Sequence, residues 1–151
     1  MLGGSGRVIM VSGASRGLGL AIAKRLHEAG FTVAAGARNP AAVAVKDRLS
    51  ADRYDAEERG SAKAWVEAVA TRYGRIDGLV NCAGINPKVR VMDGGEESLD
   101  QMWRINVKGP LRVTRAAIPH LVKSGKGRVI NVASLAGRRV GSNVGYAMTK
   151  F

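Results

Sequence analysis

Tyr146 and Lys150 stand one helical turn apart in Y-A-M-T-K, a spacing at which a phenol and an ammonium group work as an acid/base pair. A free phenol is too weak an acid for proton transfer near neutral pH. A second stretch with chemistry in it is S-G-A-S-R-G-L-G, Ser12 to Gly19, with Gly13, Gly17 and Gly19 in the pattern G-x-x-x-G-x-G. Between a strand and a helix, such glycines let the backbone turn tightly and approach a phosphate, which meets the positive end of the helix behind them. The spacing is not the G-x-G-x-x-G of the common dinucleotide fingerprint. A tight turn without a ligand is the plainer reading, and glycines at three fixed offsets weigh against it. Further on the sequence reads G-A-R-N. Ala37 stands where an acid would hydrogen-bond a ribose 2′-hydroxyl, and Arg38 follows. With Arg16 inside the glycine turn, two arginines and no carboxylate favour NADP(H) over NAD(H), the alternative being two ordinary surface arginines.

These residues need a frame, and short apolar runs alternating with helix-period segments supply one: βαβ units and a parallel sheet. R-V-I-M-V-S, Arg7 to Ser12, suits a strand buried on both faces. Leu18, Ile22 and Leu26 recur at helical spacing, and Gly30 stops that helix. F-T-V-A-A-G is the second strand. Asn39 and Pro40 predict an N-cap with proline at the first helical position, opening a short helix through Ala41 to Leu49. A-D-R-Y-D is a weak strand whose charges suit a sheet edge. Trp65, Val66, Val69 and Tyr73 predict a helix from Glu57 to Tyr73, stopped at Gly74. I-D-G-L-V-N is the fourth strand. Ser98 and Gln101 predict a capping box opening a long helix. Its apolar face runs through Met102, Ile105, Leu111, Val113 and Ile118, with kinks or breaks at Pro110 and Pro119. R-V-I-N-V-A-S is the fifth strand, and Val144 to Phe151 begins another helix. Five strands with right-handed crossovers make one doubly wound α/β domain over residues 1–151.

Taken in order, S-G-A-S-R-G-L-G, N-C-A-G, N-V-K-G, a serine after the fifth strand and Y-A-M-T-K resemble the short-chain dehydrogenase/reductase family from Val8 to Phe151. Each motif is short; five in this order on these elements are specific. The resemblance implies a three-layer α/β/α Rossmann fold. It implies an NADP(H) site flanked by the glycine turn (Gly13, Ser15, Arg16, Gly17, Leu18, Gly19) and by Asn81, Ala83 and Gly84. Arg38 would lie at the ribose, and Asp55 and Ala56 beside the adenine. Cys82 departs from the N-N-A-G of the family, and its plain reading is a small buried hydrophobe.

The resemblance also implies roles. Tyr146 is the general acid/base that gives its proton to a substrate carbonyl oxygen as hydride reaches the carbon. Lys150 and the positive nicotinamide of the oxidised complex stabilise the phenolate, and Lys150 holds the nicotinamide ribose. Ser134 hydrogen-bonds the substrate oxygen, and Asn106 anchors a water in the proton relay beneath Lys150. Alone, these residues read as a surface pair, a loop hydroxyl and a polar residue at a helix irregularity. Their joint occurrence favours the site. His27 and His120 match no motif. The pattern is most similar to 3-oxoacyl-carrier-protein reductases and general ketone reductases. That implies a small carbonyl or alcohol substrate, an acyl thioester among the options, and a homodimer or homotetramer.

Composition sets the outer bounds. A chain of 151 residues suits one domain with a substantial core, and 46% hydrophobic with 24% charged residues is ordinary for a soluble globular protein. The apolar runs are strand-sized and the N-terminus does not read as a signal peptide, so a cytoplasmic protein without a membrane span is expected. One cysteine excludes an internal disulfide, and with two separated histidines it makes no Cys/His metal site. The net charge of +12 asks for an anionic partner. The basic residues are spread out and do not interleave with aromatics, so nucleic acid is not expected. A solvated basic surface or a phosphate-rich cofactor fits the charge.

In the family the chain continues past Y-x-x-x-K with further strands and helices. A chain ending at Phe151 would leave V-I-N-V-A as an exposed apolar edge and Tyr146 in a fraying helix. These residues are therefore expected to be part of a longer enzyme, lacking the last strands and helices of the complete fold. The alternative is a non-catalytic nucleotide-binding or regulatory protein, against which the set Asn106, Ser134, Tyr146 and Lys150 argues.

Overall fold

The computed structural model describes residues 4, 6–88, 92, 94–139 and 143–150. Among the described residues, five parallel strands form one sheet in the order β3-β2-β1-β4-β5. They are β1 (Val8–Ser12), β2 (Thr32–Ala37), β3 (Leu49–Arg53), β4 (Gly78–Asn81) and β5 (Arg128–Asn131). The helices α1 (Gly17–Glu28), α2 (Ser61–Tyr73), α3 (Glu96–Met102), α4 (Gly109–Lys123) and α5 (Val144–Met148) lie between and after them.

Side chains alternate across a strand, and β1 shows the result: Met10 and Val11 point to opposite faces and both are fully buried. Met10 joins Ala34, Leu79, Trp65, Val69, Ile105 and Val113, which is the layer of α2 and α4. Val11 joins Val33, Ala35, Val80, Ala23, Ile22 and Leu26, which is the layer of α1. The sheet is thus covered on both faces, as continuous apolar strands require. β1 pairs with β2 on one side and β4 on the other, so successive crossovers turn in opposite directions from it. Ligands of doubly wound sheets bind outside the strand ends at such a switch point.

Several boundaries differ from the sequence reading. Asn39 does cap Pro40, accepting the Ala41 N–H at 3.2 Å, but only a single 3-10 turn follows, Pro40–Ala42. Burial of Val43 in the α1 layer and the start of β3 at Leu49 take the chain out of helix. α2 begins at Ser61, not Glu57, because Ser61 Oγ accepts the Asp55 N–H at 2.8 Å and Glu57 is drawn to Arg104. The Ser98/Gln101 capping box does not form: α3 starts at Glu96 after Gly95, and Gln101 donates to Glu57. The long helix is interrupted by a π-helical segment, Trp103–Lys108, ahead of Pro110, and Pro119 stays inside α4. β3 is the charged edge expected, with Asp52 held by both Arg72 nitrogens at 2.7 and 2.9 Å. Phe151, the last residue of the expected final helix, lies outside the described residues.

Candidate active site

The end of β1 builds the first wall of the site. Ser12 is buried, and its Oγ accepts two backbone N–H groups, those of Cys82 and Ala83, at 3.0 Å each. Gly13 follows with φ +69°, and a Cβ there would lie 2.8 Å from Ala83 Cα. The loops after β1 and β4 therefore touch backbone to backbone, which only glycine permits. A Cβ on Gly19 would overlap the Gly13 carbonyl, so the start of α1 is drawn onto the turn. Gly17, by contrast, has φ +55° and meets nothing within 4 Å. Its backbone faces an open cleft of about 270 Å³ that also includes Ser15, Arg16, Leu18, Arg38 and Gly84.

The far end of this cleft is the loop Tyr54–Glu57. Asp55 Oδ1 accepts the Glu57 N–H at 2.9 Å. Arg112 donates to the carbonyls of Ala56 and Glu57 at 3.2 and 3.3 Å. Arg104 holds Glu57 at 2.9 Å, and that hydrogen bond, helped by Gln101, keeps the Glu57 carboxyl below its ordinary range. Arg38, exposed on the rim, adds to the positive field on Glu57. Tyr54 packs on Trp65 with ring centroids 4.8 Å apart, and burial pushes its phenol well up.

The residues expected to form the acid/base group lie beyond Gly84. Asn106 is buried in the π-helical segment. Its Oδ1 accepts the Ile85 N–H at 2.9 Å, and its Nδ2 donates to the Ile85 carbonyl at 2.9 Å and to Thr149 Oγ1 at 3.0 Å. Lys150 Nζ donates to the Val132 carbonyl at 3.0 Å and sits 5.7 Å from the centroid of the Tyr146 ring. Burial holds the Lys150 ammonium below the usual lysine range, with the Cys82 thiol acting the other way. Burial likewise pushes the Cys82 thiol up, against the pull of Lys150. Ser134 caps the 3-10 turn Leu135–Gly137, its Oγ accepting the Ala136 N–H at 3.1 Å. Like Tyr146, it is half-buried.

The structure thus brings Gly13, Ser15, Arg16, Gly17, Leu18, Gly19, Arg38, Asp55, Ala56, Ala83 and Gly84 to one cleft. A Cβ on Gly84 would lie 3.3 Å from Asn106 Oδ1 and 4.0 Å from Lys150 Nζ, so Gly84 joins that cleft to Asn106 and Lys150. The Asn81 side chain turns elsewhere: its Nδ2 donates to Asn131 Oδ1 at 2.7 Å and to Thr114 Oγ1 at 3.1 Å. Three contributors escaped the sequence reading. Ser12 pins the two loops. Asn143 caps the tyrosine helix, its Oδ1 accepting the Tyr146 N–H at 3.1 Å. Thr149 bridges Asn106 to the Tyr146 carbonyl. A hydroxyl just before a glycine turn and an asparagine three residues before Tyr146 were the available signals for the first two.

A parallel sheet with its cleft at the β1/β4 switch point defines a doubly wound α/β protein. A family model described as short chain dehydrogenase matches residues 7–151, and the chain belongs to that family. It is 41% identical over 155 residues to agropine synthesis reductase of Rhizobium rhizogenes, covering 95% of this chain and 35% of that protein. It is 34% identical over 140 residues to a 3-oxoacyl-acyl-carrier-protein reductase of Thermotoga maritima, covering 87% and 57%. A solved short-chain dehydrogenase from Streptomyces avermitilis superposes with a TM-score of 0.89 at 35% identity, covering 95% of this chain and 55% of that one. The chain spans between about a third and three fifths of the length of these proteins.

Proposed function

We propose that these residues form the nucleotide-binding and acid/base part of an NADP(H)-dependent oxidoreductase that interconverts a carbonyl and a secondary alcohol. Residues 1–151 act in it as one dinucleotide-binding domain. The observation that carries this reading is the position of Gly84, which lines the open cleft and has Lys150 Nζ within 4.0 Å of where its Cβ would be.

Several features of the cleft support a dinucleotide. The Gly17 backbone is open where a phosphate would approach, and α1 begins there. Arg16 and Arg38 stand on its rim with no carboxylate at Ala37, which favours a 2′-phosphate. Asp55 and Ala56 close the adenine end, and Ala83 and Gly84 the nicotinamide end. NADPH bound there supplies the hydride. Tyr146 donates its phenolic proton to the substrate oxygen in reduction and takes it back in oxidation. Lys150 stabilises the phenolate by charge. One of its three hydrogens is committed to the Val132 carbonyl, which leaves donors for a ribose hydroxyl. Ser134 orients the substrate oxygen, and Asn106 holds the loop and the lysine turn together.

The relatives named as reductases support a carbonyl substrate, and the 3-oxoacyl-acyl-carrier-protein reductase among them supports an acyl thioester. The test is oxidation of NADPH and of NADH by the full-length protein across ketones and 3-oxoacyl thioesters. Tyr146→Phe should abolish turnover while leaving NADPH binding nearly intact. Turnover that survives this substitution would exclude Tyr146 as the acid/base.

A further inference from the structure

Thr149 lies between the two residues of the acid/base pair and is buried. Its hydroxyl has two partners, Asn106 Nδ2 at 3.0 Å and the Tyr146 carbonyl at 2.9 Å. An amide nitrogen only donates, so Thr149 Oγ1 accepts from Asn106 and gives its own proton to the Tyr146 carbonyl. Asn106 is fixed from the other side by both backbone groups of Ile85. One directional chain therefore runs from the loop after β4, through the π-helical segment, to the turn that carries Tyr146 and Lys150. A helix as short as α5 does not hold itself in water. Asn143 secures its first turn and Thr149 its last.

We propose that Thr149 is a positioning residue whose hydroxyl, held by Asn106, sets Lys150 against the Tyr146 phenol. This rests on the acid/base reading of Tyr146 and extends it to a residue that does not touch the substrate. Among the described residues, the titratable groups acting at the turn are Lys150 itself and Cys82, which acts on Lys150 from the loop after β4. α3 packs against α5 and carries Glu96, Glu97 and Asp100, all exposed, and the 3-10 turn is followed by the exposed Arg138. Valine at position 149 keeps the shape of threonine and removes both hydrogen bonds, leaving a buried donor of Asn106 unpaired.

The test uses the full-length protein saturated with NADP+. The Tyr146 phenol is titrated by ultraviolet absorbance and isolated by subtracting the titration of Tyr146→Phe. Thr149→Val should move its midpoint up by about one pH unit, the equivalent of tenfold weaker stabilisation of the phenolate. With NADPH and an acetoacetyl thioester, kcat should fall by about 10- to 100-fold, the scale of a small misplacement of a catalytic group. Thr149→Ser keeps the hydroxyl and should restore both. A parent-like midpoint in Thr149→Val, or a lower thermal midpoint without a shift of the phenol titration, would overturn the proposal. If the valine variant does not fold, Thr149→Ala is read the same way. Retained turnover in Tyr146→Phe would instead strike the acid/base reading, whereas the phenol titration judges Thr149 independently of it.

Discussion

Ser12 holds Ala83 in place: the last side chain of β1 accepts the N–H of Ala83, and that of Cys82 beside it, at 3.0 Å each. One buried hydroxyl thereby sets the distance between the two loops that bound the proposed cofactor cleft. Ser12→Ala leaves two N–H groups without this acceptor, and the expected loss of stability is about 1–3 kcal/mol. Urea unfolding checks that value. NADPH affinity should fall as well, because the cleft between the loops is no longer fixed, and fluorescence titration measures it. An alanine variant with parent stability and affinity would show that the contact has no such role.

Gly13→Ala tests the same junction from the backbone side. The new methyl group meets Ala83 Cα at 2.8 Å, and φ at this position is +69°. Left-handed backbone alone costs a non-glycine residue about 1–2 kcal/mol, and the backbone collision adds to it. The variant should unfold at lower urea and bind NADPH weakly or not at all. Gly17→Ala provides the contrast, since nothing lies within 4 Å of its new methyl group. Its stability should fall by the left-handed term alone, while its NADPH affinity falls through the approach of the methyl to the phosphate.

Much of this arrangement is legible in the residues because it is local. The glycine turn, the alternation of Met10 and Val11 and the left-handed stop at Gly74 are each set by a few neighbours along the chain. What was misread is set by contacts from afar. Glu57 looks like the first residue of a helix, yet Arg104, distant in sequence, holds it in a loop. Ser98 looks like a cap, yet the helix has already begun at Glu96. Pro110 predicted a disturbance of the long helix, and the disturbance falls just before it as the π-helical segment that presents Asn106 inward. The partners of the Asn81 side chain come from α4 and β5, which no local motif specifies. Tyr146, Lys150 and Asn106 were recognisable as types; the thread through Thr149 depends on three separated segments meeting.

Asp77 gives the fold a pH dependence. Its carboxyl, just before β4, accepts the Val8 N–H at 2.8 Å and two Arg75 hydrogen bonds at 2.9 and 2.6 Å. Burial works to raise its pKa, but these hydrogen bonds and the charges of Arg75 and Arg7 outweigh it and hold the carboxyl below its ordinary range. The unfolded chain therefore binds the proton more readily than the folded one. The resulting stability is fully present above the ordinary aspartate range and is lost as pH falls through the lowered folded value. Asp77→Asn should flatten this acid limb in urea midpoints measured from neutral to strongly acidic pH. A limb as steep as the parent's would assign the acid sensitivity to other carboxylates.

Cofactor choice is the property most open to a single exchange. Arg38 stands on the rim of the cleft directly after β2, near enough to Glu57 for their charges to interact. If it receives a ribose 2′-phosphate, Arg38→Ala removes a charge-assisted hydrogen bond of about 1.5–3 kcal/mol. The ratio kcat/KM for NADPH should then fall by about 10- to 100-fold, since each 1.36 kcal/mol is a factor of ten, while that for NADH stays nearly constant. Ala37→Asp supplies the missing acid at the end of β2 and should move the preference further, because a carboxylate there accepts from a ribose hydroxyl and repels a phosphate. Ala37 is itself buried, so the variant combining Ala37→Asp with Arg38→Ala is compared at equal folded concentration, determined by urea unfolding. Equal losses for NADPH and NADH in Arg38→Ala would place the arginine at a group the two cofactors share, and leave Arg16 as the residue to test for the proposed preference for the 2′-phosphate.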